Sequence, residues 1–111
     1  MSTVTTHVLD TSVGQPAAGV AVTLQQVRGS ETTDVGHAST DADGRVRELG
    51  PERLPSGTYR LVFATGGYFA ERGVDALYPQ VVLDFVVADS AAHYHVPLLL
   101  APYAYSTYRG S

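Results

Sequence analysis

Short runs of β-branched and aromatic residues, separated at regular intervals by turn-forming residues, dominate this chain. Such runs are typical of strands, and the spacing of the turns is the one expected of an all-β sandwich or barrel. Helical periodicity is mostly missing. About eight strands are predicted, at residues 5–10, 20–26, 36–40, 46–48, 58–64, 81–87, 93–100 and 103–108.

Turn residues define where these strands should end. The breaks carry Gly, Pro, Asp or Ser, which favour a positive or a fixed φ, and they fall at residues 14–16, 28–34, 41–44, 55–57, 88–90 and 102. Residues 67–73 differ, because glycines flank good helix formers there. This segment predicts one short helix, with a plain loop as the alternative.

Length and composition narrow the class of protein. A chain of 111 residues, 44% apolar and 16% charged, is expected to fold as one domain, residues 1–111. Its seven basic residues are scattered and its net charge is −4, so nucleic acid is not an expected partner. The absence of cysteine excludes disulfides, thiolate-bound zinc and thiol nucleophiles. The sequence shows neither an apolar leader nor an apolar run long enough to span a membrane. We therefore expect a cytoplasmic protein that does not contact membranes.

Two histidines stand on one strand, and their side chains could act as base or acid near neutral pH. Successive residues of a strand alternate between its faces, so His93 and His95 share a face with Pro97 and Leu99. The opposite face, with Tyr94, Val96, Leu98 and Leu100, is expected to lie in the core. The histidine face is therefore expected at a wet surface or at a site.

For the remaining candidate site residues, the sequence pattern alone gives weaker evidence of a function. His7 fits a solvent-facing histidine on an edge strand as well as a site residue, and His37 is expected at an ordinary surface. Arg45 follows a tight turn with Gly44 and could bind substrate oxygens, although such arginines are usually solvated. The Asp-rich turn lacks the pattern of a calcium loop.

The last nine residues hold three tyrosines, at positions 103, 105 and 108. Disordered segments are poor in aromatic residues, so this stretch is expected to be ordered. An aromatic contact between subunits is the simplest explanation for it.

Taken together, four stretches resemble the transthyretin-like family of 5-hydroxyisourate hydrolases. They are Thr-His-Val-Leu-Asp at 6–10, Thr-Asp-Ala-Asp-Gly-Arg at 40–45, His-Tyr-His-Val-Pro-Leu-Leu-Leu at 93–100 and the tyrosine-rich end at 103–111. The His-Tyr-His-Val-Pro strand and the Tyr-Arg-Gly-Ser at 108–111 are the specific part, because the hormone carrier transthyretin lacks them. Ala101 and Ala104 depart from the family, which more often has serine and glycine there.

The resemblance implies a two-sheet sandwich of eight strands and a homotetramer, built as a dimer of dimers with active sites in a channel at the dimer–dimer interface. It implies no metal and no cofactor. The residues that it assigns to catalysis are His7, Arg45, His95 and Ser111. The same four are expected to contact substrate, together with Tyr108, Arg109 and Gly110.

The implied reaction is the hydrolysis of 5-hydroxyisourate to 2-oxo-4-hydroxy-4-carboxy-5-ureidoimidazoline in urate degradation. A neutral imidazole, that of His7 or His95, would take a proton from the attacking water and return one to the ring nitrogen that leaves. Arg45 would hold the substrate's oxygens and stabilise the oxyanion. Ser111 would orient the ring or relay a proton.

Three alternatives stay open at this point. His7, His93 and His95 could form a zinc site of an amide hydrolase. A transthyretin-like carrier could bind a ring compound without chemistry. Finally, the tyrosine-rich end could serve only as a subunit contact, which would leave His95 and Arg45 unexplained.

Overall fold

The computed structural model describes residues 2–111, which form nine strands and one helix. The strands are β1 (Val4–Asp10), β2 (Gln15–Pro16), β3 (Ala21–Arg28), β4 (Glu31–Ser39), β5 (Arg45–Leu49), β6 (Gly57–Phe63), β7 (Val81–Val87), β8 (Tyr94–Ala101) and β9 (Ala104–Thr107). Helix α1 (Thr65–Glu71) lies between β6 and β7 in the chain.

The strands form two sheets. One has the order β2-β1-β8-β9, with β5 also paired to β1, and the other has the order β4-β3-β6-β7. Strands β1 and β8 are parallel, while the other described pairs are antiparallel. A parallel pair needs a long connection, and here the connection contains the whole second sheet. Strand β1 therefore lies between β8 on one side and β2 and β5 on the other.

Both sheets contribute to one core. Alternate residues of β6, namely Tyr59, Leu61 and Phe63, are fully buried, and Leu98 of β8 is as well. Burying such a side chain stabilises the fold by roughly 1.5–3 kcal/mol, so the alternation determines which face of each strand points inward. The all-β, two-sheet prediction with one short helix is confirmed.

The predicted break at 28–34 is wrong. Strand β3 continues to Arg28 and β4 begins at Glu31, with Arg28 paired to Glu31 and Gln26 to Thr33. Strand pairing satisfies backbone N–H and C=O groups whatever the side chains, so a polar hairpin arm can extend into solvent. Similarly, Gln15 and Pro16 lie in a two-residue edge strand rather than in a break.

The helix begins at Thr65 and ends at Glu71, two residues earlier than the prediction of 67–73. Gly66, inside the helix, lets the backbone of Pro79 approach closely, because a Cβ at this position would lie 2.5 Å from the carbonyl oxygen of Pro79. Tyr68 and Phe69 are buried and hold the helix against the sandwich.

Within residues 2–111 no helix has the length and apolar character needed to span a membrane. The cytoplasmic location expected from the sequence stays a prediction.

Candidate active site

The outer face of the five-stranded sheet brings three of the predicted site residues together. His7 of β1 is the direct partner of Arg45 in β5, and Thr5 of β1 is the direct partner of His95 in β8. Directly opposed residues share a face of a sheet, and so do His7 and Thr5, two positions apart. Strand pairing thus gathers side chains from positions far apart in the sequence.

A cavity of about 210 Å³ lies on this face. It is lined by Thr5, Thr6, Arg45, Val46, Arg47, His93, His95 and Ser111. The predicted residues Arg45, His95 and Ser111 therefore share one cavity, and His7 lies beside it as the strand partner of Arg45.

The end of the chain reaches the cavity through a backbone contact with β8. The N–H of Gly110 donates to the carbonyl oxygen of His95 at 2.8 Å, which forms an isolated β-bridge. A Cβ at Gly110 would lie 2.5 Å from Cδ2 of the His95 ring. Glycine at this position therefore lets the tail pack against the imidazole and places Ser111 at the cavity.

One hydroxyl contacts two imidazoles. Oγ1 of Thr5 lies 2.8 Å from Nδ1 of His95 and 2.9 Å from Nε2 of His93. A hydroxyl donates one proton, so when both rings are neutral it donates to one ring and accepts an N–H from the other. The tautomers of His93 and His95 are therefore coupled through Thr5.

The environment of His95 favours its neutral form. Burial lowers the pKa of His95, and the nearby charges of Arg45, His7 and His93 lower it further. A neutral imidazole can accept a proton, and Nε2 of His95 makes no hydrogen bond within residues 2–111. Nε2 is thus the ring nitrogen that can act as a base.

The turn before β5 orients His7. Its Nε2–H donates to the carbonyl oxygen of Asp43 at 2.8 Å, so neutral His7 carries its proton on Nε2 and has a free lone pair on Nδ1. The side chain of Asp41 accepts from the N–H groups of Asp43 and Arg45, each at 2.9 Å. These bonds form an Asx turn, which gives the Asp-rich segment a structural role at the start of β5.

Two arginines of β5 line the cavity, and their guanidinium groups differ in hydrogen bonding. Arg47 donates to a carboxylate oxygen of Asp41 at 2.9 Å. The guanidinium of Arg45, in contrast, makes no hydrogen bond or ion pair in the part of the chain that the structure describes. Its donors are therefore available to oxygen atoms of a ligand.

Two residues of the tail lie elsewhere in the single chain. Tyr108 and Arg109 line a second, more apolar cavity of about 470 Å³, beside residues of β7. Arg109 also stacks on the ring of Tyr94, with Cζ 4.4 Å from its centroid. Their predicted contact with substrate stays a prediction.

Sequence reasoning missed Thr5 and Arg47. Alternation along β1 from His7 would have placed Thr5 on the site face, but its contact with His93 and His95 depends on the parallel pairing of β1 and β8. His37, which was expected at an ordinary surface, lies on β4 of the other sheet, near Asp34.

The three histidines do not converge as ligands of one metal ion. Nε2 of His7 is bonded to a carbonyl, while His93 and His95 turn ring nitrogens toward Thr5. Among the described residues, no group of three His, Cys, Asp or Glu side chains is arranged to hold a metal ion.

Comparisons with known proteins agree with this fold. The model of the HIUase/Transthyretin family matches residues 4–110. A 5-hydroxyisourate hydrolase of Caulobacter vibrioides is 48% identical over 115 residues, which cover 100% of each chain. The structure of Klebsiella pneumoniae 5-hydroxyisourate hydrolase is similar with a TM-score of 0.84 and 42% identity, covering 100% of this chain and 94% of that one.

The structure of transthyretin from Sparus aurata is also similar, with a TM-score of 0.92 and 28% identity over 99% of this chain and 97% of that one. The resemblance drawn from the His-Tyr-His strand and the tail is confirmed. Since the family model spans nearly the whole sequence, the chain belongs to the HIUase/Transthyretin family.

Proposed function

We propose that this chain hydrolyses 5-hydroxyisourate to 2-oxo-4-hydroxy-4-carboxy-5-ureidoimidazoline. The observation that carries the proposal is the cavity in which Arg45, His95 and Ser111 meet, in a chain 48% identical to a 5-hydroxyisourate hydrolase. A cation with free donors beside a neutral imidazole suits the attack of water on a ring carbonyl, because the base activates water and the cation stabilises the oxyanion.

In this proposal, Nε2 of His95 takes a proton from water as the oxygen attacks the carbonyl carbon. The guanidinium of Arg45 holds the carbonyl oxygen, and its charge stabilises the oxyanion that forms. The C–N bond of the ring then breaks, and the leaving nitrogen receives from His95 the proton that was taken from water. His7 and Ser111 are assigned to the catalytic group because His7 pairs with Arg45 and Ser111 lines the cavity.

We further propose that residues 1–111 form one domain and assemble as a homotetramer, a dimer of dimers. Tyr103, Tyr105 and Tyr108 are 64%, 41% and 58% exposed in the single chain, which suits burial against other copies. In the assembly, Tyr108, Arg109 and Gly110 would contact substrate in a channel between dimers.

A transthyretin-like carrier is the second candidate, because the Sparus aurata transthyretin has the higher TM-score, 0.92. A carrier site is usually lined by aliphatic and hydroxyl groups, whereas this cavity holds two arginines and two histidines. The hydrolase is therefore the function that the site supports best.

The test generates 5-hydroxyisourate from urate with urate oxidase in the cuvette and follows its decay by absorbance. Added protein is expected to accelerate the decay, with and without a strong chelator. Stoichiometric binding with no acceleration would favour the carrier, and loss of activity with the chelator would favour a zinc site. A decay rate equal to the spontaneous one would defeat the proposal.

A further inference from the structure

The hydroxyl of Thr5 connects a buried imidazole to an exposed one. Thr5 is 6% exposed and His95 is partly buried, whereas His93 lies at the surface. The Thr5 oxygen is within 2.9 Å of both rings, through Nδ1 of His95 and Nε2 of His93. The three groups line the cavity and form a continuous hydrogen-bonded path from the partly buried ring of His95 to the exposed ring of His93.

We propose that Thr5 is a positioning residue that joins His95 and His93 in a proton relay, so that His93 stores the proton taken from water. The relay rests on the proposed hydrolase function, in which His95 is the base. It gives a role to His93, which the resemblance leaves without one.

The protons balance through one cycle. As Nε2 of His95 takes the water proton, the Nδ1–H proton moves to Thr5 Oγ1, and the hydroxyl proton of Thr5 moves to Nε2 of His93. His93 becomes an imidazolium, His95 stays neutral, and the hydroxide bonds to the carbonyl carbon. When the C–N bond breaks, Nε2–H of His95 protonates the leaving nitrogen, and the same two transfers run in reverse.

The charges around the path favour transfer of the proton from His95 to His93. Arg45 and Arg47 of β5 line the cavity with His95, and His7 lies beside them on β1. Burial and the charges of Arg45 and His7 disfavour a positive charge on His95, whereas the ring of His93 is exposed to water, which can solvate an imidazolium. The backbone at His93 is held in place, since its carbonyl accepts from Nη2 of Arg109 at 3.2 Å.

Thr5→Val removes the hydroxyl and keeps the shape of the side chain. If the relay exists, kcat falls about 10–100-fold, with little change in KM, because the base loses its proton acceptor. Thr5→Ser restores the hydroxyl and is expected to recover most of kcat. Thr23→Val is the matched control, since Thr23 makes the same kind of contact with His37, at 3.3 Å, in the other sheet.

His93→Ala removes the other end of the path. Because relay steps act in series, the Thr5→Val/His93→Ala double variant is expected to be no slower than the slower single variant. Free imidazole is expected to rescue His93→Ala, since the vacated position is exposed, but not the double variant. A purely structural role for Thr5 predicts neither the rescue nor its dependence on the hydroxyl.

Ring ¹⁵N shifts of His93 and His95, measured without substrate, test the bridge apart from turnover. Thr5→Val is expected to change the ring ¹⁵N shifts of both histidines, because each ring loses its hydrogen bond to the hydroxyl, while Thr5→Ser leaves both as in the wild type. If the wild type does not hydrolyse 5-hydroxyisourate, the proposed function fails and these shifts alone decide the bridge. Unchanged shifts in folded Thr5→Val, or a wild-type kcat with an unchanged pH profile, overturn the relay.

Discussion

At the residue scale, the candidate site depends on one free cation beside one neutral base. Arg45 and Arg47 are two residues apart on the same strand, yet in the described part of the chain Asp41 forms a side-chain ion pair with Arg47 and contacts Arg45 only through its backbone N–H and C=O groups. The chain therefore supplies an internal partner for one arginine and leaves the other for a ligand. This difference could not be predicted from the sequence, in which both arginines simply follow an Asp-rich turn.

Arg45→Ala is expected to lower kcat/KM about 10²–10³-fold, because the oxyanion loses its charged donor. The free energy of unfolding should change by less than about 0.5 kcal/mol, since the guanidinium makes no hydrogen bond within the described chain. Steady-state kinetics and urea unfolding measure the two quantities. Arg28→Ala, at the exposed end of β3, is the control. A large loss of stability with full activity per folded molecule would contradict the role of Arg45.

The lowered pKa of His95 has a definite consequence for pH dependence. A base acts in its neutral form, so the acidic limb of kcat/KM is expected below pH 6.5, the ordinary histidine value. In an NMR titration, Arg45→Ala should raise the pKa of His95, because it removes a cation beside the ring. A midpoint above that of free histidine, or one that Arg45→Ala leaves unmoved, would contradict this account.

At the element scale, the turn between β4 and β5 holds the site face together. Gly44 has φ +74°, and a Cβ there would collide with the carbonyl oxygen of Val8 in β1. The carbonyl of Gly44 also accepts from the N–H of Val8 at 2.7 Å. The turn therefore fixes both β5 against β1 and the Asp43 carbonyl that orients His7.

Gly44→Ala is expected to destabilise the fold by about 2–4 kcal/mol, since it combines an unfavourable φ with a clash against backbone. Gly29→Ala is the matched control, because φ is +59° there but a Cβ meets nothing within 4 Å. The control should lose only about 1 kcal/mol. Urea unfolding of both variants checks the difference, and equal losses would show that contact with Val8 does not matter.

Strands with alternating apolar residues could be predicted from the sequence. Features that depend on which strands pair, and in what register, could not. The inward set of β8, such as Leu98 and Leu100, follows from period two and burial. The polar start of β4 was missed because Glu31–Ser39 is held by backbone bonds to β3 rather than by burial. The Thr5 bridge was missed for a similar reason, since it depends on the register of β1 against β8.

At the scale of the whole molecule, the fold explains how distant segments form one site. The second sheet is inserted between β1 and β8 in the chain, so Thr5 and His95 meet although 90 residues separate them. The last segment also exposes the side chains of Tyr103, Tyr105 and Tyr108 at the surface of the single chain.

Sedimentation at micromolar concentration is expected to give four times the 11.8 kDa mass of one chain. Tyr105→Glu, which places a charge in the exposed aromatic segment, should shift the protein toward smaller species. If the channel between dimers holds the substrate, activity should fall with dissociation. A fully active monomer would contradict the proposed assembly.

The hydrolase activity assigned to this site is tested by comparing the wild type with His95→Asn in freshly generated 5-hydroxyisourate. The wild type is expected to accelerate decay well above the spontaneous rate. His95→Asn, folded by circular dichroism, should lose about 10²–10⁴-fold of that acceleration. Equal acceleration by both proteins, or none by the wild type, would contradict the claim that this face of the sheet hydrolyses the ring.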